Sequence, residues 1–515
     1  MNSKEILKFC MQNGLLIDRD VLKLFSEVSD VESVKLVIEK IKINTGQNFI
    51  TRNLVDENRA QLGRAFETLP EESQRILETL KIKLGLNIEI SREVSRESIK
   101  QKPLEEFSDV KVLTQHVVKG KKIEVKDFIT FFKNRFNDMK DILQERAELD
   151  NLVSINKLSE NSYGVSVIGI VTSKNVTKNK NIIFEIEDIT GKTKVLVNNN
   201  KPDLVEIAEE ISLDSVIGFK GSGNKDIIFV NEIIFPESAL PERKKSFVDE
   251  SVLFIGDLHF GSKRFMRKNF LKFIEYLNSE DEEAKKVRYL FLVGDIVTGV
   301  GNYPNQEVDL EIKNLEEQFS SLAEILGMIR KDIKIIISPG NHDGVRLMEP
   351  QPMIDEKYAW PIYDLDNVIM TENPATVNIG AKGGFSGINV LAYHGFSFFY
   401  YVNTIPFLMK MKAANTPEVI MKYLLKNRHL APTQGSTQYF PLEKDGLLIR
   451  DIPDIFVSGH THKSGVSYYN NILVISISTW EEMTPYMEKV GSQPDFCKVP
   501  MFNLKTREVK ILDFE

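Results

Sequence analysis

The spacing of apolar residues changes several times along the chain. Residues 1–45 repeat apolar positions at helical spacing, which predicts a small domain of short amphipathic helices. Residues 46–120 are polar and irregular apart from a predicted helix over 71–84, so we expect a flexible linker there. His116 lies near the end of this linker without a partner motif, and we expect a structural or surface role for it.

A longer amphipathic helix is predicted over about 126–148. Its apolar side chains keep to one broad face and are Phe128, Phe131, Phe132, Phe136, Met139 and Leu143. Lys133 and Arg135 are interleaved with them, which leaves a contact with nucleic acid open. An aromatic stripe at helical spacing more often packs against a neighbouring domain, and we favour that interpretation.

Five β-type runs occupy residues 163–236, with one helical segment between the third and fourth runs. This order predicts an OB-fold barrel, which together with the preceding helix spans 121–240. OB-folds often bind single strands through aromatic side chains. The aromatic candidates here are Phe184, Phe219 and Phe229, with few arginines nearby. DNA contact and protein interaction therefore stay equal alternatives for this domain.

Residues 250–515 repeat one arrangement five times: a short apolar run, followed by side chains that can bind a metal ion. The runs are VLFIGDLHFG, YLFLVGD, IKIIISPGNHD, VLAYHG and IFVSGHTH. Continuous apolar runs suit strands buried on both faces, and ligands collect at the carboxyl ends of strands in α/β sheets. The residues placed at these ends are Asp257, His259, Asp295, Asn341, His394, His460 and His462.

Those seven side chains offer the donors that two divalent ions require. A carboxylate can bridge two ions, imidazoles suit Mn, Fe or Zn, and an amide oxygen adds a neutral ligand. No thiolate takes part, which argues against a structural zinc site. Cys10 and Cys497 lie at opposite ends of the sequence and form neither a disulfide framework nor a CxxC motif. Five independent strand-end placements also argue against a set of unrelated core histidines.

Length and composition set wider limits. At 515 residues the chain exceeds a single core, and 42% hydrophobic with 27% charged residues describes an ordinary soluble protein. We expect no membrane partner and a cytoplasmic location, because no apolar run reaches about 18 residues and the N-terminus lacks signal-peptide features. The net charge of −8 means that a nucleic acid must be met by a local basic patch or by metal ions.

The motifs DLH, GD, GNHD, YHG and GHTH, in this order, resemble the calcineurin-like metallophosphoesterase superfamily. The resemblance implies a two-sheet α/β sandwich flanked by helices. It implies two metal positions, one held by Asp257, His259, Asp295 and His462 and the other by Asp295, Asn341, His394 and His460. It also implies that His342 faces the substrate phosphate and leaving oxygen. Asp343 would orient His342, with packing or N-capping as the alternative.

The chemistry expected of such a site is phosphodiester hydrolysis. A bound ion lowers the pKa of water from about 15.7 to near 7, which supports in-line attack on phosphorus. His342 would stabilise or protonate the departing 3′-oxygen. Lys263, Arg264 and Arg346 follow the motifs and are candidate phosphate contacts, with a solvated charged face as the alternative. For His429 we expect a structural or partner-contact role.

Flanking residues narrow the choice within this superfamily. The second motif reads GDIVTGVG without the arginine typical of protein phosphatases, and about 250 residues precede the first motif, unlike in double-strand-break repair nucleases. The multidomain α/β organisation resembles the B-subunits of replicative DNA polymerases, and among them the small subunits of the archaeal family D enzymes. The segments that carry this resemblance are DFITFFKNRF, GVGNYPNQEVDL, PGNHDGVRLMEPQP, NRHLAPTQGSTQYFP and ISISTWEEMTPYM.

The resemblance implies a proofreading 3′-5′ exonuclease subunit that acts on mismatched, single-stranded 3′ ends of DNA. It implies Mn²⁺ as the activating ion, with Fe or Zn open, and a large catalytic subunit as partner; a sliding clamp is a further candidate. Eukaryotic B-subunits have lost the ligands, whereas every position is filled here. The alternatives are a structural subunit with an idle site and a stand-alone repair nuclease or phosphodiesterase. Thr298 replaces a commonly acidic residue but is not a ligand.

Overall fold

The computed structural model describes residues 2–26, 31–45, 49–51, 54, 109–114 and 122–515. The chain divides into one unit spanning residues 1–102 and a second spanning 103–515. The predicted helix over 71–84, His116 and most of the predicted linker lie outside the described residues. In the described part of the chain, no helix is both long and apolar enough to cross a bilayer.

In the described part of the first unit, three amphipathic helices pack around a small apolar core. They are α1 (Asn2–Gln12), α2 (Arg19–Ser26) and α3 (Val31–Thr45). The short strand β1 (Leu16–Ile17) lies between α1 and α2 and pairs in parallel with β2 (Phe49–Ile50), which follows α3. Ile6, Phe25 and Ile38 meet in this core, because helical periodicity places apolar residues on one face. The sequence pattern does not predict the strands, since two residues are too few for a period-two signal.

A closed barrel follows β3 (Val110–Val112) and the long helix α4 (Val125–Gln144). Its elements in chain order are β4 (Ser162–Val176), β5 (Ile182–Asp188), β6 (Gly191–Val197), α5 (Pro202–Glu209), β7 (Val216–Gly223) and β8 (Ile227–Ile234). The strands close in the order β4-β5-β6-β8-β7. Phe184 and Phe219 are buried in the barrel core, whereas Phe229 is 53% exposed. Of the three aromatic candidates, only Phe229 therefore has a face open to a ligand.

The aromatic face of α4 packs against two neighbours. Phe136 and Met139 join the barrel residue Ile168 in one apolar cluster. Phe131 joins a different cluster that contains Leu424 of the C-terminal domain. The helix therefore fastens the barrel to the domain that follows, as the stripe of phenylalanines predicts.

Arg135, on the same helix, is buried rather than presented to nucleic acid. Its side chain is 2% exposed and its guanidinium is ion-paired with Asp445, which also lies 3.0 Å from His429 Nε2. His429 Nδ1 accepts a hydrogen bond from the backbone N–H of Ala431. These polar atoms bind other buried groups of the same chain, so Arg135 and His429 have structural roles. The contact with nucleic acid considered for Arg135 is therefore wrong.

The C-terminal domain contains the strands β9 (Ser251–Ile255), β10 (Val287–Val293), β11 (Lys334–Ser338), β12 (Val368–Met370), β13 (Ala375–Ile379), β14 (Ile388–Tyr393), β15 (Ile455–Ser458), β16 (Gly465–Tyr469), β17 (Ile472–Ser476), β18 (Lys498–Asn503) and β19 (Val509–Asp513). Together with β3 they form two six-stranded sheets in the described chain. The orders are β12-β11-β10-β9-β18-β19 and β16-β17-β15-β14-β13-β3.

Helices cover the outer faces of these sheets. They are α6 (Arg267–Leu277), α7 (Glu282–Lys285), α8 (Leu315–Leu326), α9 (Glu356–Tyr363), α10 (Phe398–Thr404), α11 (Pro406–Lys410), α12 (Pro417–Asn427) and α13 (Pro485–Val490). Within β9, Leu253 and Ile255 face the core beneath the helices, while Val252 and Phe254 face the core between the sheets. A strand buried on both faces explains the unbroken apolar run. The predicted two-sheet α/β sandwich is confirmed.

Candidate metal centre

Five strand ends deliver the predicted ligands to one place. Strands β9, β10 and β11 run parallel in the first sheet, and β14 and β15 run parallel in the second. The carboxyl ends of parallel strands meet at a common edge, where α/β proteins collect ligands. The residues that follow these ends are Asp257, His259, Asp295, Asn341, His394, His460 and His462.

Donor atoms from both sheets form three overlapping clusters. Within each cluster, the donor atoms lie within 4.8 Å of one another. The clusters are Asp257 with His259 and His462, His259 with Asp295 and His342, and Asp295 with His394 and His460. Asp295 is shared by the second and third clusters, which suits a carboxylate that joins two metal positions.

In the first cluster, two imidazoles converge on the Asp257 carboxylate. The Nε2 atoms of His259 and His462 lie 3.2 Å apart, and His462 Nε2 lies 3.6 Å from Asp257 Oδ1. The backbone N–H of His460 donates to both carboxylate oxygens of Asp257, at 3.1 and 2.9 Å. Loop 459–462 is thereby fixed against the strand end that carries Asp257.

In the third cluster, His394 is held with one ring nitrogen directed at the site. Its Nδ1 lies 3.2 Å from the Val293 carbonyl oxygen, and because a carbonyl only accepts, Nδ1 carries the hydrogen. Its Nε2 lies 3.2 Å from Asp295 Oδ2 and 3.1 Å from Asn341 Oδ1. This is the arrangement of a metal-ligating histidine whose other nitrogen is fixed by a backbone oxygen.

The turns that carry the ligands have left-handed backbone conformations. The residues with positive φ are Asp257 (46°), His259 (47°), Asp295 (47°), His460 (66°) and His462 (56°). Non-glycine residues adopt this region uncommonly, and such strained residues cluster at functional sites. Backbone hydrogen bonds from Asp257 to the Gly294 carbonyl and from His259 to the Asp295 carbonyl hold the first of these turns against the end of β10.

Glycines beside the ligands make room for them. A Cβ on Gly340 would overlap the carboxylate and backbone nitrogen of Asp295, and one on Gly294 would overlap the His394 ring. A Cβ on Gly459 would lie 2.6 Å from Asp257 Oδ2. Since Cβ atoms do not approach that closely, these positions are restricted to glycine while the ligands keep their places.

Asp257 and Asp295 are buried with imidazoles, and no lysine or arginine among the described residues, as their charged partners. They are 0% and 2% exposed. Burial, and then the charge of Asp295, raise the pKa of Asp257 well above its usual value despite His394. Burial opposes ionisation of Asp295, but His394 and His342 hold its pKa well below the usual range. Buried charge of this kind calls for a counter-ion.

The imidazoles divide into two electrostatic types. Burial lowers the pKa of His259 to about 3, and burial also holds the pKa values of His460 and His462 well below the usual value. His394 differs: burial disfavours its charge, but Asp295 raises its pKa to about 10. Neutral imidazoles and ionised carboxylates are the forms that bind divalent metals. A divalent cation that displaces the proton of His394 would leave the donors in these forms, so the set fits divalent cations.

His342 is partly accessible, with 21% of its side chain exposed. Its backbone N–H donates to Asp295 Oδ1 at 2.7 Å, and its Nδ1 lies 3.0 Å from the Thr298 carbonyl oxygen. That carbonyl also accepts from the amide groups of Asn302 and Gln306, both at 3.0 Å. The Thr298 carbonyl and the Asn302 amide, 3.1 Å away, both meet Nδ1, so Nε2 is the ring nitrogen on the side of Asp295.

The Asp343 carboxylate is engaged by backbone amides of two loops. It accepts the backbone N–H groups of Val297 and Gly340, at 2.9 and 2.7 Å. Asp343 therefore ties the loop after β10 to the loop after β11, which is the packing alternative. Among the described residues Asp343 makes no hydrogen bond to the His342 ring, and its role in orienting His342 stays a prediction.

The three candidate phosphate contacts are engaged within the chain. Lys263 Nζ donates to the Val308 carbonyl at 2.7 Å, and Arg264 pairs with Asp309 at 2.8 Å. Arg346 stacks 3.7 Å from the Phe440 ring centroid and donates to the Pro350 carbonyl. None of these cations contacts a ligand of the clusters among the described residues, and their role toward phosphate stays a prediction.

Known proteins with similar sequences include a family of metal-dependent enzymes. Residues 251–464 match the calcineurin-like phosphoesterase family. The chain is also 32% identical to the DNA polymerase II small subunit of Methanothermobacter thermautotrophicus, over 99% of both chains. This chain belongs to the DNA polymerase II small subunits. The Pyrococcus furiosus small subunit is 37% identical over 76% of this chain, and the match spans 64% of that longer relative.

Solved structures add only a distant likeness. An archaeal phosphodiesterase aligns with 51% of this chain and 98% of its own, at 14% identity and a TM-score of 0.26. The match of this small subunit to the calcineurin-like phosphoesterase family implies that it uses divalent metal. The clusters described above supply the donors.

Several contributors to the site are not predicted from the sequence. Thr298 acts through its backbone carbonyl, which no residue type reveals. Asn302 lies in the segment GVGNYPNQ, which stands out only by resemblance, yet its amide lies 3.1 Å from His342 Nδ1. Phe396 and Phe399 contact the His460 ring, and only their place just after YHG could have suggested this.

Proposed function

We propose that this small subunit is a two-metal 3′-5′ exonuclease that removes mismatched nucleotides from single-stranded DNA 3′ ends. The observation that carries the proposal is the intact donor set: six aspartate and histidine side chains cluster with His342, and Asn341 joins them through His394, in a polymerase small subunit. A structural subunit with an idle site would have no need to keep all seven.

The proposed ligand assignment follows the clusters. Asp257, His259 and His462 serve one metal position, His394, His460 and Asn341 serve the other, and Asp295 serves both. Bound divalent ions supply Lewis-acid chemistry, neutralising phosphate oxygens and making a hydrolytic water more acidic. We propose Mn²⁺, with Fe or Zn as alternatives, because mixed imidazole and carboxylate donors suit all three.

His342 is proposed to protonate the leaving 3′-oxygen. The Thr298 carbonyl and the Asn302 amide engage its Nδ1 at 3.0 and 3.1 Å, so Nε2 is the atom that would transfer the proton. Nε2 lies 4.0 Å from Asp295 Oδ2, within the group of donors that face substrate. A charged imidazole there would also stabilise negative charge that develops on the departing oxygen.

The remaining domains are proposed to serve assembly. We assign residues 1–45 to a helical domain, 46–120 to a linker, 121–240 to a helix with an OB-fold, and 250–515 to the exonuclease. Five strands closed into a barrel, with a helix after the third, support the OB-fold. Polymerisation would belong to a large partner subunit, with a sliding clamp as a further partner.

The test is digestion of a 3′-mismatched primer, labelled at its 5′ end, with and without Mn²⁺. His342→Ala and His394→Ala are run beside the unaltered chain. A metal-dependent ladder that shortens from the 3′ end, and is lost in both variants, supports the proposal. Absence of cleavage by the lone chain and by its complex with the large subunit would leave a structural subunit. If the lone chain digests primers as fast as the complex does, and no large subunit co-purifies with it, a stand-alone nuclease is favoured.

A further inference from the structure

Two phenylalanine rings flank the candidate ligand His460. The ring centroids of Phe396 and Phe399 lie 5.6 and 5.3 Å from the centroid of the His460 imidazole. Strand β14 delivers His394, and the chain then passes through Phe396 into helix α10, which carries Phe399. The pair therefore lies beside the cluster of Asp295, His394 and His460.

Phe399 keeps a large free face at this position. It is 46% exposed, whereas the preceding Phe398 is fully buried and anchors α10 to the domain core. Packing alone favours burial of a phenylalanine ring, because exposed apolar surface costs free energy. Phe399 thus combines a contact with a metal-site residue and an aromatic face open to solvent.

The clusters indicate which part of a substrate would meet that face. His342 belongs to the cluster with His259 and Asp295, whereas His460 belongs to the cluster with Asp295 and His394. Asp295 is the member that these two clusters share. If His342 faces the leaving 3′-oxygen of the shortened strand, Phe399 lies beside the cluster that does not contain His342.

We propose that Phe399, backed by Phe396, stacks on the base of the terminal nucleotide, the one that is released. The inference rests on the proposed exonuclease function and specifies how its substrate is held. A single sugar joins a base to its phosphate, so a phosphate held at this centre brings the base within reach of a ring beside His460. Every base has a π face, so this contact accepts all four bases.

The experiment combines variants of Phe399 with removal of single bases. The full-length chain, Phe399→Leu and Phe399→Trp are assayed on single-stranded oligonucleotides with an intact end, an abasic terminal nucleotide or an abasic penultimate nucleotide. On intact ends, Phe399→Leu raises KM by about tenfold or more, since stacking on one base is worth about this much. Phe399→Trp keeps the aromatic face and stays near the unaltered KM.

The decisive comparison is the double change. With an abasic terminal nucleotide, Phe399→Leu causes no further loss, because the partner base is already absent. Phe247→Leu is the matched control, since Phe247 is 74% exposed and packs on Phe385 rather than on a metal-site residue. An equal loss of kcat on intact and abasic ends would overturn the inference in favour of packing on His460. Dependence on the penultimate base would overturn the assignment to the released nucleotide.

A binding measurement separates this inference from the exonuclease proposal. Fluorescence anisotropy in Mn²⁺ gives the Kd of the same oligonucleotides for His342→Ala and for His342→Ala combined with Phe399→Leu. Stacking is supported if the intact end binds about tenfold tighter than the terminally abasic end to His342→Ala, and if this difference disappears when Phe399→Leu is added. This result does not depend on digestion. Equal binding of both ends by both variants overturns it, whatever the activity.

Discussion

Gly340 shows how closely the ligand loops approach one another. A methyl group there would overlap the carboxylate and backbone nitrogen of Asp295, the residue shared by two clusters. We expect Gly340→Ala to weaken metal binding by about 10–100-fold, because Asp295 must move away. Isothermal titration calorimetry with Mn²⁺ measures this directly.

The matched control is Gly191→Ala in the barrel, where the added Cβ meets only Ile155 Cγ2 at 3.5 Å, an ordinary contact. It should leave Mn²⁺ affinity unchanged. Similar weakening in both variants would show that the effect is general rather than local to Asp295.

Asp343 gives a second prediction for a single residue. Replacing it with asparagine removes one acceptor and brings an NH₂ group toward backbone N–H groups that still need partners. Leaving one buried N–H unsatisfied costs about 1–3 kcal/mol, so the melting temperature should fall. Because Asp343 does not contact the His342 ring, the pH dependence of kcat should stay in place. A displaced pH profile at unchanged stability would support the orienting role.

At the scale of elements, the pattern of apolar residues predicts the strands and the ligands that directly follow them, because both are determined by local sequence. The runs ending at Ile255 and Val293 are short, continuous and followed by Gly and Asp, so the strand and its ligand are visible together. The contacts of Asp343 and Thr298 are made with backbone atoms and carry no residue signature. Arg135 and Asp445 are 310 residues apart in sequence, so their pairing is invisible until α4 packs on the C-terminal domain.

The packing of α4 leads to a pH prediction centred on His429. Burial, and then Arg135, lower the pKa of His429 to about 4, and protonation of Nδ1 would break its bond from the Ala431 N–H. The unfolded chain, with a histidine pKa of about 6.5, binds the proton more readily. Stability therefore falls as the pH drops from about 6.5 to about 4, and is fully present above that window.

Denaturant unfolding of the unaltered chain and of His429→Asn, at fixed pH values between 4 and 7, measures this contribution. The unaltered chain should lose up to about 3 kcal/mol relative to the variant across the window. A difference in stability that stays constant with pH would rule out His429 as the source.

On the scale of the second unit, the metal centre joins the two sheets, because ligands from β9, β10 and β11 meet ligands from β14 and β15. Divalent ions bound there would stabilise the folded state by mass action, by about 2.7 kcal/mol at a hundredfold excess over Kd. Chelation should therefore lower the melting temperature, and added Mn²⁺ should restore it. His394→Ala, which removes one donor, should respond less to chelation. A melting temperature that ignores both treatments in the unaltered chain would contradict a metal-linked sandwich.

The left-handed turns also limit which residues can replace the ligands if a metal site is lost in evolution. The turns are those at Asp257, His259, Asp295, His460 and His462. Aspartate, asparagine and histidine tolerate positive φ better than most residues, and glycine tolerates it best. A descendant that no longer needs the ions would still need the turns, because the strands on either side are fixed by the core. At these five positions we expect such relatives to carry glycine or asparagine more often than valine or isoleucine. That bias would identify subunits that have lost a metal site.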